Sequence, residues 1–139
     1  MRYPMKCKSA SEGGFILSFP DFPEAHSEAE TKDDAIRYGT DCLETAIYFR
    51  VKYGEPLPDP SPLRRGQIAI TTAVGFDAKL LLFQTMRAQN VRAKDLAVRL
   101  GITPQEVTRL IDLRHRTKID AIAAALNALG KRLELSLAA

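Results

Sequence analysis

The sequence predicts an α+β chain in two parts, a small sheet carrying one helix followed by an all-helical domain. Three observations predict it. Apolar residues alternate with period two over residues 2–8, 15–19 and 67–74, then take helical spacing over 32–53 and across much of 76–129. A proline-rich stretch separates these patterns, with Pro56, Pro58, Pro60 and Pro62 at every second position. The charge also changes sign along the chain. Residues 1–70 hold 9 Lys/Arg against 11 Asp/Glu, and residues 71–139 hold 11 against 6. The basic second half is therefore where nucleic acid is expected to bind.

In residues 2–8, Tyr3, Met5 and Cys7 alternate with Arg2, Lys6 and Lys8. This predicts a strand, and an edge strand because Pro4 cannot donate to a ladder. Ser11-Glu12-Gly13-Gly14 supplies a turn, and Phe15, Leu17 and Phe19 form the inward face of a second strand, giving a β-hairpin. Residues 20–24 break that strand, and residues 26–30 predict a short third one. Thr31, with Asp34 three positions later, starts a helix in the manner of a capping box. Ile36, Gly39, Leu43, Ala46 and Ile47 define its apolar face, with Asp33, Arg37, Asp41 and Glu44 opposite, and the helix is expected to run to about Tyr53.

The proline-rich segment 54–66 excludes helix and interior strand and favours a stiff, extended path. Residues 67–74 are rich in β-branched side chains and put Ile68, Ile70 and Val74 on one face, so this strand is expected to return to the first sheet. The domain boundary accordingly falls near Gly75, giving domains 1–74 and 75–139.

The 45% apolar and 27% charged content is that of a folded globular protein. No apolar run, Leu80-Leu81-Leu82-Phe83 included, approaches the length of a membrane span, and the charged start lacks the apolar core of a signal peptide. No membrane association and a cytoplasmic location are expected. Cys7 and Cys42 are too few for a disulfide framework and fit no zinc spacing, so both are read as small core residues. His26 and His115 lie far apart in sequence and His26 is read as a surface residue; no metal or other cofactor is expected. Asp21, Asp33, Asp34, Asp41 and Glu44 invite a nuclease reading. Helix-dipole complementarity and a solvated helix face account for most of them more simply, so no catalytic residue is assigned.

Residues 91–110 are the most informative stretch. A helix-turn-helix needs a small residue where its helices touch, a glycine at the turn and apolar residues on both sides. Ala97 and Gly101 meet the first two needs; Leu96, Leu100, Ile102, Val107 and Leu110 meet the third. The second helix has its own start signal in Thr103 as N-cap, Pro104 at the first helical position and Glu106 as capping-box partner. Its outward residues Gln105, Thr108, Arg109 and Asp112 are of the types that contact base edges, Arg109 foremost. Arg92, Lys94, Arg114, Arg116 and Lys118 flank them and suit phosphates. Double-stranded operator DNA is the expected partner of this half.

Residues 118–129 form a further helix ended by Gly130. Leu133, Leu135 and Leu137 then alternate with polar residues, predicting a terminal strand. A lone strand in a helical domain is expected to pair with another copy, giving a homodimer or tetramer. In a dimer, two recognition helices about 34 Å apart would meet half-sites one helical turn apart.

Taken together, the halves resemble the HicB family of antitoxins over essentially the whole chain. The run Glu12-Gly13-Gly14-Phe15-Ile16-Leu17-Ser18-Phe19-Pro20-Asp21-Phe22-Pro23, then Glu30-Thr31 and Ala35, is similar to the family's sheet-and-helix signature. Leu96-Ala97, Gly101, residues 107–110 and residues 117–121 resemble the subgroup that carries a helix-turn-helix. The resemblance implies a partial RNase H-like first domain that binds and neutralises a HicA-type toxin, a small basic mRNA-cleaving ribonuclease. It implies a second domain that binds the operator of its own operon as a repressor. Asp21, Phe22, Pro23 and Glu24 lie in the family's matching loop and are the candidate toxin contacts. The competing expectation is a stand-alone repressor whose first domain senses a small ligand.

Overall fold

A computed structural model describes residues 1–139, with elements in the order β1 (Arg2–Ser9), β2 (Phe15–Phe19), β3 (Phe22–Ala29), α1 (Lys32–Lys52), β4 (Gln67–Thr71), α2 (Val74–Ala88), α3 (Ala93–Leu100), α4 (Pro104–Ile111) and α5 (Ile119–Ala128). They divide into two units, Met1–Thr72 and Ala73–Ala139. No helix is long and apolar enough to cross a membrane.

The first unit is a four-stranded antiparallel sheet in the order β3-β2-β1-β4, with α1 packed against it. Pro4 does not place β1 at an edge. The Thr72 N–H donates to the Met1 carbonyl at 2.9 Å, which phases the ladder so that odd-numbered residues of β1 exchange hydrogen bonds with β4. Pro4 faces the other way, and β2 begins pairing only at Lys6, so the missing N–H costs no ladder bond. The third strand also starts earlier than its sequence suggests. A two-residue turn at positions 20–21 leads straight into Phe22, which pairs with Phe19 beside a bulge.

Helix α1 begins as its cap residues dictate. The Asp34 N–H donates to Thr31 Oγ1 at 3.1 Å, while the Asp34 carboxylate pairs with Arg37 at 2.8 Å instead of closing the box. Ala35, Gly39, Leu43, Ala46, Ile47 and Val51 are buried on the sheet, but Ile36, expected among them, is exposed. Gly39 sits where the helix approaches β1 most closely, and any Cβ there would collide with Met5 Sδ. Both cysteines are half-buried and do not belong to the core.

The proline-rich segment is lashed to this unit. Tyr3 Oη donates to the Pro58 carbonyl at 2.7 Å, and Asp21 accepts from the Ser61 N–H at 2.9 Å and from the Ser61 hydroxyl. β4 then ends at Thr71. Val74, expected on its inner face, opens α2 and is exposed.

The second unit is held by one core formed by residues of α2, α3, α4 and α5, among them Leu82, Met86, Leu96, Val107, Ile122 and Leu126. Helices α3 and α4 are joined by a short turn in which Gly101 adopts φ +67°, the left-handed conformation that favours glycine. Residues 131–139 form no strand within the chain. The second unit contains no sheet to receive one, and Leu135 and Leu137 stand exposed.

Candidate functional site

Helix α4 is defined by its caps. Thr103 Oγ1 accepts from the Glu106 N–H at 3.2 Å, and the Glu106 carboxylate accepts from the Thr103 N–H at 2.7 Å. Pro104 occupies the first turn, and Val107 and Leu110 turn inward. Gln105, Thr108, Arg109 and Asp112 are therefore all exposed. Two of them have other commitments. Thr108 Oγ1 donates to the Pro104 carbonyl at 3.0 Å, and Asp112 Oδ1 accepts from the Arg114 N–H at 2.9 Å. Gln105 and Arg109 thus reach furthest from this face.

Around it, Arg92, Lys94, Arg114, Arg116 and Lys118 are all exposed. Arg92 precedes α3 without a hydroxyl to cap it. Asp95 supplies the reciprocal half of a capping box, its carboxylate accepting the Arg92 N–H at 3.0 Å, and this bond holds the Asp95 carboxyl below the usual range.

One determinant of this face escapes sequence reasoning. Lys79 of α2 is only 2% exposed, and its Nζ donates to the carbonyls of Arg109 at 3.0 Å, Asp112 at 2.9 Å and His115. An ammonium among the last carbonyls of α4 satisfies groups that the helix leaves unpaired and complements the negative end of its dipole. Burial pushes the Lys79 ammonium below the usual lysine value, and the Asp112 charge opposes that. The available signal was its position, since Lys79 shares a helix face with Phe76, Leu82 and Met86. Gln89 does similar work at the other end of α2, donating to the Leu129 carbonyl at 2.9 Å.

In the first unit, the residues expected to meet a toxin have mostly internal roles. Phe22 is fully buried, edge-to-face with Tyr3 at a centroid distance of 4.9 Å and beneath the Arg50 guanidinium at 4.8 Å. It is a core residue and offers no surface to a partner. Asp21 is engaged by Ser61, as described above. Glu24 forms a two-pronged pair with Arg50 at 2.6 and 3.0 Å. Only Pro23 projects outward without such a tie in view.

The hydrogen bond from Arg50 lowers the Glu24 pKa, against an opposing effect of burial. Since the folded value lies below the ordinary 4.5, the pair stabilises the fold above that pH and the stabilisation is lost as pH falls through the folded value. Glu24 is half exposed, so the contribution is about 0.5–1 kcal/mol. Comparing Glu24→Gln with the parent by urea titration should show this deficit at pH 7 and its progressive decline as the pH is lowered below 4.5. A deficit that does not change with pH would assign the effect to packing.

Beside Glu24 a groove of about 750 Å³ runs between β3 and α1. Tyr38, Phe49 and Tyr53 line it, 42%, 46% and 68% exposed, and Phe49 and Tyr53 stack at 6.3 Å. The Cys42 thiol donates to the His26 carbonyl at 3.5 Å, bridging helix and strand, and burial pushes this thiol up. The expected carboxylates do not gather into a metal-binding group.

Residues 2–81 match the family model described as the HicB_like antitoxin of a bacterial toxin-antitoxin system. The chain is 41% identical over 135 residues to Antitoxin HicB of Escherichia coli strain K12, covering 97% of this chain and 98% of that protein. It is 37% identical over 137 residues to Antitoxin HicB 1 of Photorhabdus laumondii, covering 99% of this chain and 87% of the relative. Against Antitoxin HicB of Pseudomonas fluorescens the identity is 31% over 128 residues, covering 91% and 88%. Such matches, spanning both units and including the carboxylates once open to a nuclease reading, place the protein among antitoxins and not among enzymes: the chain belongs to the HicB-like antitoxin family.

Proposed function

We propose that this antitoxin has two functions: its first unit binds and neutralises a HicA-type mRNA-cleaving toxin, and its second unit represses its own operon. The toxin reading rests on family membership, supported by the excess of acidic over basic residues in the first half, which suits a partner that must itself attract RNA. We retain the partial RNase H-like description of the first unit, a three-stranded meander backed by one helix with the fourth strand beside the first.

The DNA reading is carried by one observation. The capped helix α4 presents Gln105 and Arg109 outward while Val107 and Leu110 bury its other side. In this reading α3, the Gly101 turn and α4 are a helix-turn-helix with α4 in the major groove. Arg109 and Gln105 contact base edges, with Thr108 and Asp112 secondary; Arg92, Lys94, Arg114, Arg116 and Lys118 hold the phosphates. Two copies, paired through residues 131–139 in a dimer or tetramer, would engage both half-sites of an operator.

The test compares operator with random DNA in gel-shift titrations. Arg109→Ala is expected to cost about 1–3 kcal/mol on the operator and to relax its sequence preference, whereas Lys94→Ala weakens both DNAs about equally. Equal loss on both DNAs for Arg109→Ala would remove it from base contact. Co-expression with the toxin tests the other half, since growth should be restored by the full chain.

A further inference from the structure

We infer that the groove between β3 and α1 is the toxin-docking surface, with Phe49 and Tyr53 as its apolar anchors; this rests on the antitoxin reading proposed above. Three observations on the molecule lead there. The residues first expected to make contact are spent internally, Phe22 in the core, Asp21 on Ser61 and Glu24 on Arg50. The groove, by contrast, displays three exposed aromatic side chains, Tyr38 and Phe49 on α1 and Tyr53 at its C-cap, one turn beyond Phe49. Large exposed rings in a line are costly to hydrate and are the side chains that most often anchor protein interfaces. β3 is also an edge strand, so the groove lies at the open side of the sheet.

Charge selects the occupant. Glu24, Asp41 and Glu55 line the groove with one guanidinium, that of Arg50, which is paired with Glu24, so Asp41 and Glu55 give the lining an acidic balance; Arg37 and Lys52 stand over the outer rings of Tyr38 and Tyr53. A ribonuclease needs a cationic face to hold its polyanionic substrate. An acidic groove with stacking rings is complementary to that face, so docking here would place protein carboxylates where RNA phosphates would lie. A nucleic acid is excluded as occupant by the same sign of charge. A small neutral ligand would leave the carboxylate rim without a purpose.

The experiment uses the full-length chain and a purified, cleavage-inactive variant of a HicA-type protein, with binding followed by calorimetric titration. The double variant Phe49→Glu/Tyr53→Glu is expected to lose at least about 100-fold in affinity, because both rings are anchors and the new charges are buried on docking. Ile16→Glu, 45% exposed on the outer face of β2, is expected to stay within about twofold of the parent. Parental affinity in the double variant overturns the groove assignment and leaves the antitoxin reading standing. A comparable loss in Ile16→Glu also overturns it, whereas failure of the parent itself to bind removes the reading beneath it. Should the double variant melt early, Asp41→Lys decides the matter: a loss of about tenfold, steeper at low salt, upholds the groove, and unchanged binding overturns it.

Discussion

Replacing Phe22 with alanine is expected to remove about 3–5 kcal/mol from the first unit, enough to unfold most or all of it. The ring is fully buried where β3 leaves the hairpin turn, so truncation leaves a cavity beside Tyr3 and beneath the Arg50 guanidinium. Both neighbours depend on it. Tyr3 holds the proline-rich segment through Pro58, and Arg50 holds Glu24, so losing the ring loosens two attachments as well as the core. A sheet of four strands with one covering helix has little stability in reserve. The measurement is convenient because the chain has no tryptophan and all four tyrosines, Tyr3, Tyr38, Tyr48 and Tyr53, lie in this unit. Tyrosine fluorescence in a urea titration therefore reports on the first unit alone. A midpoint close to the parent's would mean that the sheet collapses into the vacated space and that the ring contributes less to stability than its burial implies.

The second large effect is expected at Lys79. Lys79→Met keeps the length and apolar stem but removes the only donor that meets the carbonyls of Arg109, Asp112 and His115 together. Two terms oppose each other. Removing a buried ammonium relieves its desolvation, while the orphaned carbonyls, each having accepted from a charged group, lose about 1.5–3 kcal/mol apiece. Three acceptors outweigh one donor even after the outermost carbonyls regain water, leaving a net loss of about 2–4 kcal/mol. The end of α4 should fray, and Arg109, whose own carbonyl is one of the three, should lose its orientation. Far-UV circular dichroism would show the lost helix stability. Operator titration should show a deficit larger than that of Arg109→Ala alone. Parental stability and operator affinity in Lys79→Met would reduce the lysine to a passive occupant of its site.

What the sequence made legible was local. The start of α4 rests on Thr103, Pro104 and Glu106, all within four residues, and the end of α3 rests on Gly101, so both could be placed from neighbours alone. What it concealed depended on distant partners. Pro4 suggested an edge because its missing donor was visible, but the side it faces depends on pairing with residues some 65 positions away. Phe22 stood between two turn-forming residues and looked like loop, though the bulge at Phe19 returns it to the core. Lys79 looked like an ordinary solvated lysine because three carbonyls from another helix do not appear in its own segment. The aromatic line on α1 was hidden for a related reason. Ring-bearing positions near one another on a helix normally indicate a covered face, yet Tyr38 and Phe49 on α1 and Tyr53 at its C-cap are exposed.

The pairing of β1 with β4 joins Arg2 to Thr71, the two ends of the first unit. A ribosome adding about 5–20 residues per second makes the first strand several seconds before the last one exists. During that interval β1 has one side open, and the unit cannot close until most of its chain has emerged. A message or nascent chain cut short before β4 would contain every residue of the groove but would leave β1 as an open edge with unpaired backbone. The open edge would therefore close only in copies whose translation had passed Thr71.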